Sequence, residues 1–307
     1  MNMQANNPPA AGALLSARAM LASVSIKIWS AKKTDKRVSK EIHDSKNARD
    51  GAGRYNKSLL ASSALEKLQG IAGATRAEHY RLTSPWVDAG PRILSSMLFI
   101  DWANKIRELN DQFDAAKPEF LANYLEYVEQ ARRPRPEGLG DLFNEADYPS
   151  LERVARMFEF SSRVLPMPTA SDFRVDLSEA QSQEIRRSIE ESTSEALAGV
   201  TRDAWKRIAD VCGAMVDRLN AYVPAEKKGD RSQGVFRDSL VENVRDLVSI
   251  LPAFNLTNDA TLAAITERLQ RDLCQHSAED LRESEALRAS TARAAESILA
   301  EVNDFLA

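Results

Sequence analysis

Cysteine is nearly absent: the 307 residues hold two, Cys212 and Cys274. They sit on apolar helical faces among Val211, Met215 and Leu273, the setting of a reduced thiol that acts as a small core side chain. That points to a cytosolic protein. Glycine and proline number 12 each, too few for a loop-rich all-β fold. No stretch reaches the ~18 apolar residues a spanning helix needs. The best window, Ile93 to Ile100, is cut off by Arg92 and Asp101, so no membrane partner is expected. The N-terminus lacks a charged leader and Arg18 interrupts its short apolar run, which argues against a secretory signal. The three histidines, His43, His79 and His276, are far apart, with no Cys-x-x-Cys or His-Glu-x-x-His pattern. Neither a metal site nor a cofactor is expected. No serine or cysteine lies in a glycine-flanked elbow, and Glu190-Glu191 reads as a solvated helix face. An enzyme is the least favoured class, and no catalytic residue stands out.

What is present is helix-forming material. Hydrophobic residues make up 43% and charged residues 28%, too apolar a mixture for disorder, and Ala, Leu, Glu and Arg dominate. Charge is unevenly spread. Eleven Lys or Arg against four acids give the first 57 residues +7, so within a total of −4 the other 250 carry −11. A basic N-terminal segment beside an acidic body is the most informative feature of the composition.

The spacing of apolar residues outlines the elements. Residues 1–12 offer nothing to bury and read as frayed. A short helix over 13–22 leads to alternation in Ser23–Ser30, with Val24, Ile26 and Ile28 on one face of a half-buried strand and Trp29 on the other. After the basic segment 31–57, Ser63-Ala-Leu-Glu66 is a capping-box pattern that opens a helix to about Arg81. The turn 84–90 breaks it. Pro91 suits the first turn of a next helix, carrying Ile93, Leu94, Met97, Leu98, Trp102, Ile106, Leu109 and Phe113 at steps of three and four. Pro118 kinks that helix or starts another with Phe120, Tyr124 and Tyr127. A linker follows at 132–138, then a short helix at 150–158. Strands at 158–164 and 173–177 would join 23–30 in one small sheet. Ser178 to Gln181 is a second capping box, opening the longest helix, to about Tyr222. Three further helices follow: one stopping at Pro252, one holding Leu262 to Leu273, and one capped by Ser277. The expected architecture is mainly α: an elongated helical bundle with one very long helix and a small antiparallel β-sheet. It reads as a single domain over 13–307, divisible into lobes 13–177 and 178–307.

Gly51-Ala-Gly-Arg-Tyr-Asn-Lys57-Ser58 approaches a phosphate-binding loop, but Asn56 replaces the second glycine and a polar stretch precedes it. Such a loop must follow an apolar strand and open a helix. Met97 to Asp101, which mimics the companion magnesium-binding strand, falls within a helical period. Two clusters remain. His79, Tyr80, Trp86, Asp88 and Arg92 crowd one inter-helix turn. They form either a recognition loop or a junction plugged by Trp86 and capped by Asp88, and the structural reading is preferred. The basic segment offers Lys32, Lys33, Lys36, Arg37, Lys40, Arg54 and Lys57 interleaved with Trp29 and Tyr55. That is the footprint of single-stranded nucleic-acid binding. The competing reading, a basic arm lying on the acidic body, is the preferred one.

Trp29 to Lys36, Ala52 to Lys57, His79-Tyr80 with Pro85-Trp86, Leu139 to Phe143 and Asp147-Tyr-Pro149 together resemble one pattern. Pro166-Met-Pro168, Asp172 to Val175 and Phe236 to Asn243 continue it. The chain is thus similar, from about Leu14 to Phe305, to an uncharacterised family of phage and bacterial proteins known as a domain of unknown function. The resemblance implies a setting and no catalytic residues. Members are often encoded beside a MoxR-type AAA+ ATPase and a von Willebrand A-type (CobT-like) protein. The expectation is a non-enzymatic interaction or assembly protein of phage or mobile-element origin that self-associates in the bacterial cytoplasm. It would serve as adaptor or substrate of such an ATPase. The alternative is a single-stranded nucleic-acid-binding protein of phage DNA metabolism.

Overall fold

The computed structural model describes residues 11–86, 90–169, 178–225 and 232–306. It is mainly helical with a small antiparallel sheet, as the composition requires. Among the described residues no helix is long and apolar enough to cross a membrane. The strand expected at 173–177 and the candidate Asp88 lie outside the described residues.

Helix α1 (Ala11–Arg18) runs directly into strand β1 (Ala19–Lys27). The helix therefore ends four residues short of its expected end at 22, and the strand starts four residues early. The reason is its partner. Ala19 to Ala22 pair antiparallel with Ser95 to Arg92 of β5 (Arg92–Ser95), so the apolar run Ala-Met-Leu-Ala is used as a ladder. Pro91 accordingly opens a strand and not a helix. Ile93, Leu94 and Ser95 are all buried, a run that periodicity cannot assign and that a partner strand decides. Strand β4 (Ser84–Pro85) pairs with β5 on its other edge. With β6 (Glu159–Pro166) the strand order is β4-β5-β1-β6.

Two compact units share the chain. One comprises Met1–Ser23, Leu82–Ile100 and Val164–Ala307, the other Val24–Arg81 and Asp101–Arg163. The chain thus passes between units repeatedly, where the sequence suggested one cut at 177/178.

In the first unit α6 (Glu179–Ala221) is the long helix, opened by the expected capping box. The Gln181 amide N–H donates to the Ser178 hydroxyl and the Gln181 side chain accepts from the Ser178 N–H. Its buried stripe, including Ala196, Val200, Ile208, Met215 and Leu219, packs against α7 (Ser239–Phe254) and α10 (Glu285–Asp304). Helix α8 (Ala260–Leu273) closes the group. The expected last helix is two: Ser277 caps α9 (Ala278–Glu283), and Ser284 restarts the chain as α10.

The second unit is built on α3 (Ser63–Leu82) and α4 (Phe99–Arg132). Leu65, Leu68, Leu109, Phe113, Phe120 and Tyr124 form one core, joined by Val154 of α5 (Leu151–Ala155) and by Phe158. On this core rests an inserted module: β2 (Lys32–Asp35), α2 (Lys36–Ser45) and β3 (Tyr55–Ser58).

Candidate functional site

The basic segment is this β2–α2–β3 module, and its sequence explains how it is held. Strands β2 and β3 pair antiparallel with Lys33 opposite Lys57 and Asp35 opposite Tyr55. Like charges directly across a ladder repel, and Asp147 bridges this pair. One carboxylate oxygen lies 2.6 Å from Lys33 Nζ, the other 2.7 Å from Lys57 Nζ. Lys57 also donates to the Leu142 carbonyl at 2.7 Å and lies 3.2 Å from Asp35. Asp35 does two jobs, since its other oxygen caps α2 by accepting from the Val38 amide. Lys57 is only 5% exposed. Burial alone would push its ammonium down, but Asp147 and Asp35 outweigh this and hold it above the usual lysine value. Burial would likewise push the Asp147 carboxyl up, but Lys33 and Lys57 hold it below the carboxylate range. Asp35 is held below that range by the Val38 amide first and Lys57 second.

Around this node gather residues that stand far apart in the sequence. The Tyr148 hydroxyl donates to the Leu59 carbonyl at 2.8 Å, and its ring stacks on Phe143 with centroids 5.1 Å apart. Arg132 lies over Phe143 at 4.6 Å. Trp29 is half-buried, edge-on to Tyr124 with centroids 5.9 Å apart, and the Tyr124 hydroxyl donates to the Pro149 carbonyl. Segments 29–35, 55–59, 142–143 and 147–149 therefore meet in one place. Lys57-Ser58 is a strand end pinned by ion pairs, which disposes of the phosphate-loop pattern.

Three of the nine candidates on the basic segment are thus bound up in the fold: Lys33, Lys57 and Trp29. The others present outward. Lys32, Lys36, Arg37, Lys40 and Arg54 are exposed, and among the described residues Arg37 pairs only with Glu41 one turn along α2. Tyr55 is half-buried and lines a cleft of about 330 Å³ between α2 and the loop leading to β3. Ser39, Ile42 and His43 form the helical wall; Ala52 and Gly53 form the facing one. Ala48, Lys46 and Arg54 complete the lining, and both cations are exposed. The polar groups inside are already engaged. The Ser39 hydroxyl donates to the Asp35 carbonyl at 2.6 Å and accepts from the Tyr55 amide at 2.9 Å. His43 Nε2 lies 3.0 Å from the Gly53 carbonyl and 3.2 Å from its amide. Ile42, His43 and Lys46 did not stand out in the sequence. Helix α2, which carries Ile42 and His43 and is followed by Lys46, has only two aliphatic residues, Val38 and Ile42, in ten, so no apolar period announced it.

The second cluster is divided between the units. His79 and Tyr80 belong to the α3 end; His79 is buried and its Nδ1 accepts from the Trp102 indole N–H at 3.1 Å. Tyr80 is exposed, while Trp86 is half-buried. Arg92 donates to the Thr83 hydroxyl at 2.7 Å and to its carbonyl at 3.0 Å, tying down the turn base. His79 and Arg92 are thus engaged within the fold, but the helix that Asp88 was expected to cap is strand β5. Of the cysteines, Cys212 is buried, and burial pushes its thiol up to about 12.

Compared with protein families, curated proteins and solved structures, the chain matches none.

Proposed function

We propose that this chain is a non-enzymatic interaction and assembly protein that takes an anionic partner through the β2–α2–β3 module. One observation carries the reading: the module's cations divide into two groups. Lys33 and Lys57 are consumed in anchoring it, while Arg37, paired with Glu41, and Lys32, Lys36, Lys40, Lys46, Arg49 and Arg54, with no ion pair among the described residues, are exposed. A fixed scaffold presenting unneutralised charge beside an open cleft suits recognition of an anionic surface. The buried titratable groups favour binding over chemistry. Lys57, Asp35 and Asp147 neutralise one another, and a thiol raised like that of Cys212 stays protonated and inert.

Retention on immobilised heparin tests this. The wild type should elute at distinctly higher salt than a Lys32→Gln/Lys36→Gln/Lys40→Gln/Lys46→Gln variant of equal melting temperature. Equal elution at low salt would overturn the proposal. The family resemblance extends the reading to a protein of phage or mobile-element type in the bacterial cytoplasm, partnered by a MoxR-type AAA+ ATPase or a von Willebrand A-type protein. Co-expression should then give a complex that co-purifies with or without nucleotide, and consistent failure to associate would remove that partner.

A further inference from the structure

We infer that the cleft between α2 and β3 is a slot for one unstacked base of a single-stranded nucleic acid, whose flanking phosphates are met by Lys46 and Arg54. This rests on the reading of the module as an anion-binding element and names the anion. The slot has an aromatic and aliphatic lining, Tyr55 and Ile42, with the small residues Ala48, Ala52 and Gly53 around it. A flat ring can come close to backbone there. The interior hydrogen-bonding groups are spent on each other, Ser39 with Asp35 and Tyr55, His43 with Gly53. With Ser39 and His43 so engaged, the slot offers mainly faces for stacking and apolar contact, and Lys46, Arg54 and the Tyr55 hydroxyl are the other polar groups of its lining. Affinity without sequence preference is the hallmark of single-strand binders that combine aromatic platforms with a cationic track. The track is present: Lys32, Lys36 and Lys40 continue the exposed positive charge beyond the slot. A polymer carrying one charge per nucleotide and one stackable ring per charge complements that arrangement. A duplex does not, because its bases are already stacked.

Gly53 supplies the decisive variant. It lines the slot, its φ is not positive, and a Cβ built on it would meet no atom within 4 Å. Gly53→Leu should therefore fill the slot without straining the fold. Fluorescence anisotropy would compare a labelled oligothymidylate with an abasic strand of equal charge, using the full chain. Stacking of one base should make the oligothymidylate bind roughly tenfold tighter. Gly53→Leu should erase that preference while leaving the melting temperature and the salt dependence unchanged. Lys46→Gln/Arg54→Gln should instead flatten the slope of log K against log salt by about 1.4, at about 0.7 per phosphate contact. Should Gly53→Leu melt early, Ala52→Leu on the same wall gives the same readout. Equal binding of the two strands, or a preference surviving in the filled variant, overturns the slot. So does tighter binding of a polyglutamate peptide, which would assign the cleft to an acidic protein. Heparin retention with no binding of either strand refutes this inference and spares the module's role; loss of heparin retention as well refutes both.

Discussion

Lys33 and Lys57 face each other across a two-stranded ladder, and the hairpin holds because Asp147 answers both. Removing one member of a buried pair leaves the other uncompensated, which typically costs several kcal/mol. Lys57→Met should therefore destabilise the protein by about 3 kcal/mol, the low end of that range, because Lys33 still neutralises part of Asp147. Denaturant melts check it, and a loss under about 1 kcal/mol would mean the node is weakly coupled. The pH dependence has a definite sign. Asp35 and Asp147 have folded values below the ordinary carboxylate, so their contribution is present above about pH 4 and fades as pH falls through the folded values. Lys57 has a raised value, so its contribution is present below about pH 10.4 and fades as pH rises past the folded one. The stability gap between wild type and Lys57→Met should be widest between these limits and close in acid. None of this was legible in the sequence. Asp35 and Asp147 are ordinary acids there, and nothing in the spacing says that residues 33, 57 and 147 converge.

At the level of elements, amphipathic helices with strong caps were legible and short apolar runs were not. The capping box at Ser178, the stripe Leu65-Leu68-Ile71-Ala72 and the set Leu262-Ile265-Leu269-Leu273 are all where periodicity puts them. Ala19–Ala22 and Ile93–Ser95 are strands only because they pair with each other, information no window of either contains. Proline did not mark helix boundaries, and of the two readings of Pro118 the start of a second helix is removed. Pro91 precedes a strand, whereas Pro118 lies inside the continuous α4 and Pro252 inside α7. A proline in a helix interior costs ~3 kcal/mol. In α4, Phe113, Phe120 and Tyr124 on either side are all buried, each contributing ~1.5–3 kcal/mol, and together they override it. Pro118→Ala should then supply a backbone N–H that donates a hydrogen bond to the Asp114 carbonyl, and stabilise the protein by about 1–3 kcal/mol. A raised melting midpoint with unchanged α4 packing is the expected outcome. A lowered one would mean that Pro118 itself is required to seat those aromatics.

For the whole molecule, the charge asymmetry between the first 57 residues and the rest was visible from counting alone. What counting cannot tell is which cations are spent, and the answer is mixed: Lys27 pairs with Glu159 and Lys33 with Asp147, while Lys36 and Lys40 stay open. The long helix poses the complementary question. At ~1.5 Å per residue its 43 residues span about 65 Å, yet its buried residues begin only at Thr193. Across Glu179–Ser192 no side chain is buried, although Ser182, Ile185, Ile189 and Ser192 continue the three- and four-residue spacing of the stripe and are half-buried. Ile185 and Ile189 leave part of their apolar surface uncovered among the described residues, which suits a second copy laid against them, the usual two-fold arrangement of a homo-oligomer. Self-association through this stretch is therefore expected, with a mass above 34.0 kDa that rises with concentration in light scattering. Ile185→Glu/Ile189→Glu should abolish it, and circular dichroism and thermal melts should change little, because neither side chain contributes to the buried core. A mass of 34.0 kDa across the whole concentration series would sink the idea. So would an oligomer indifferent to the double variant, since the contact would then lie elsewhere.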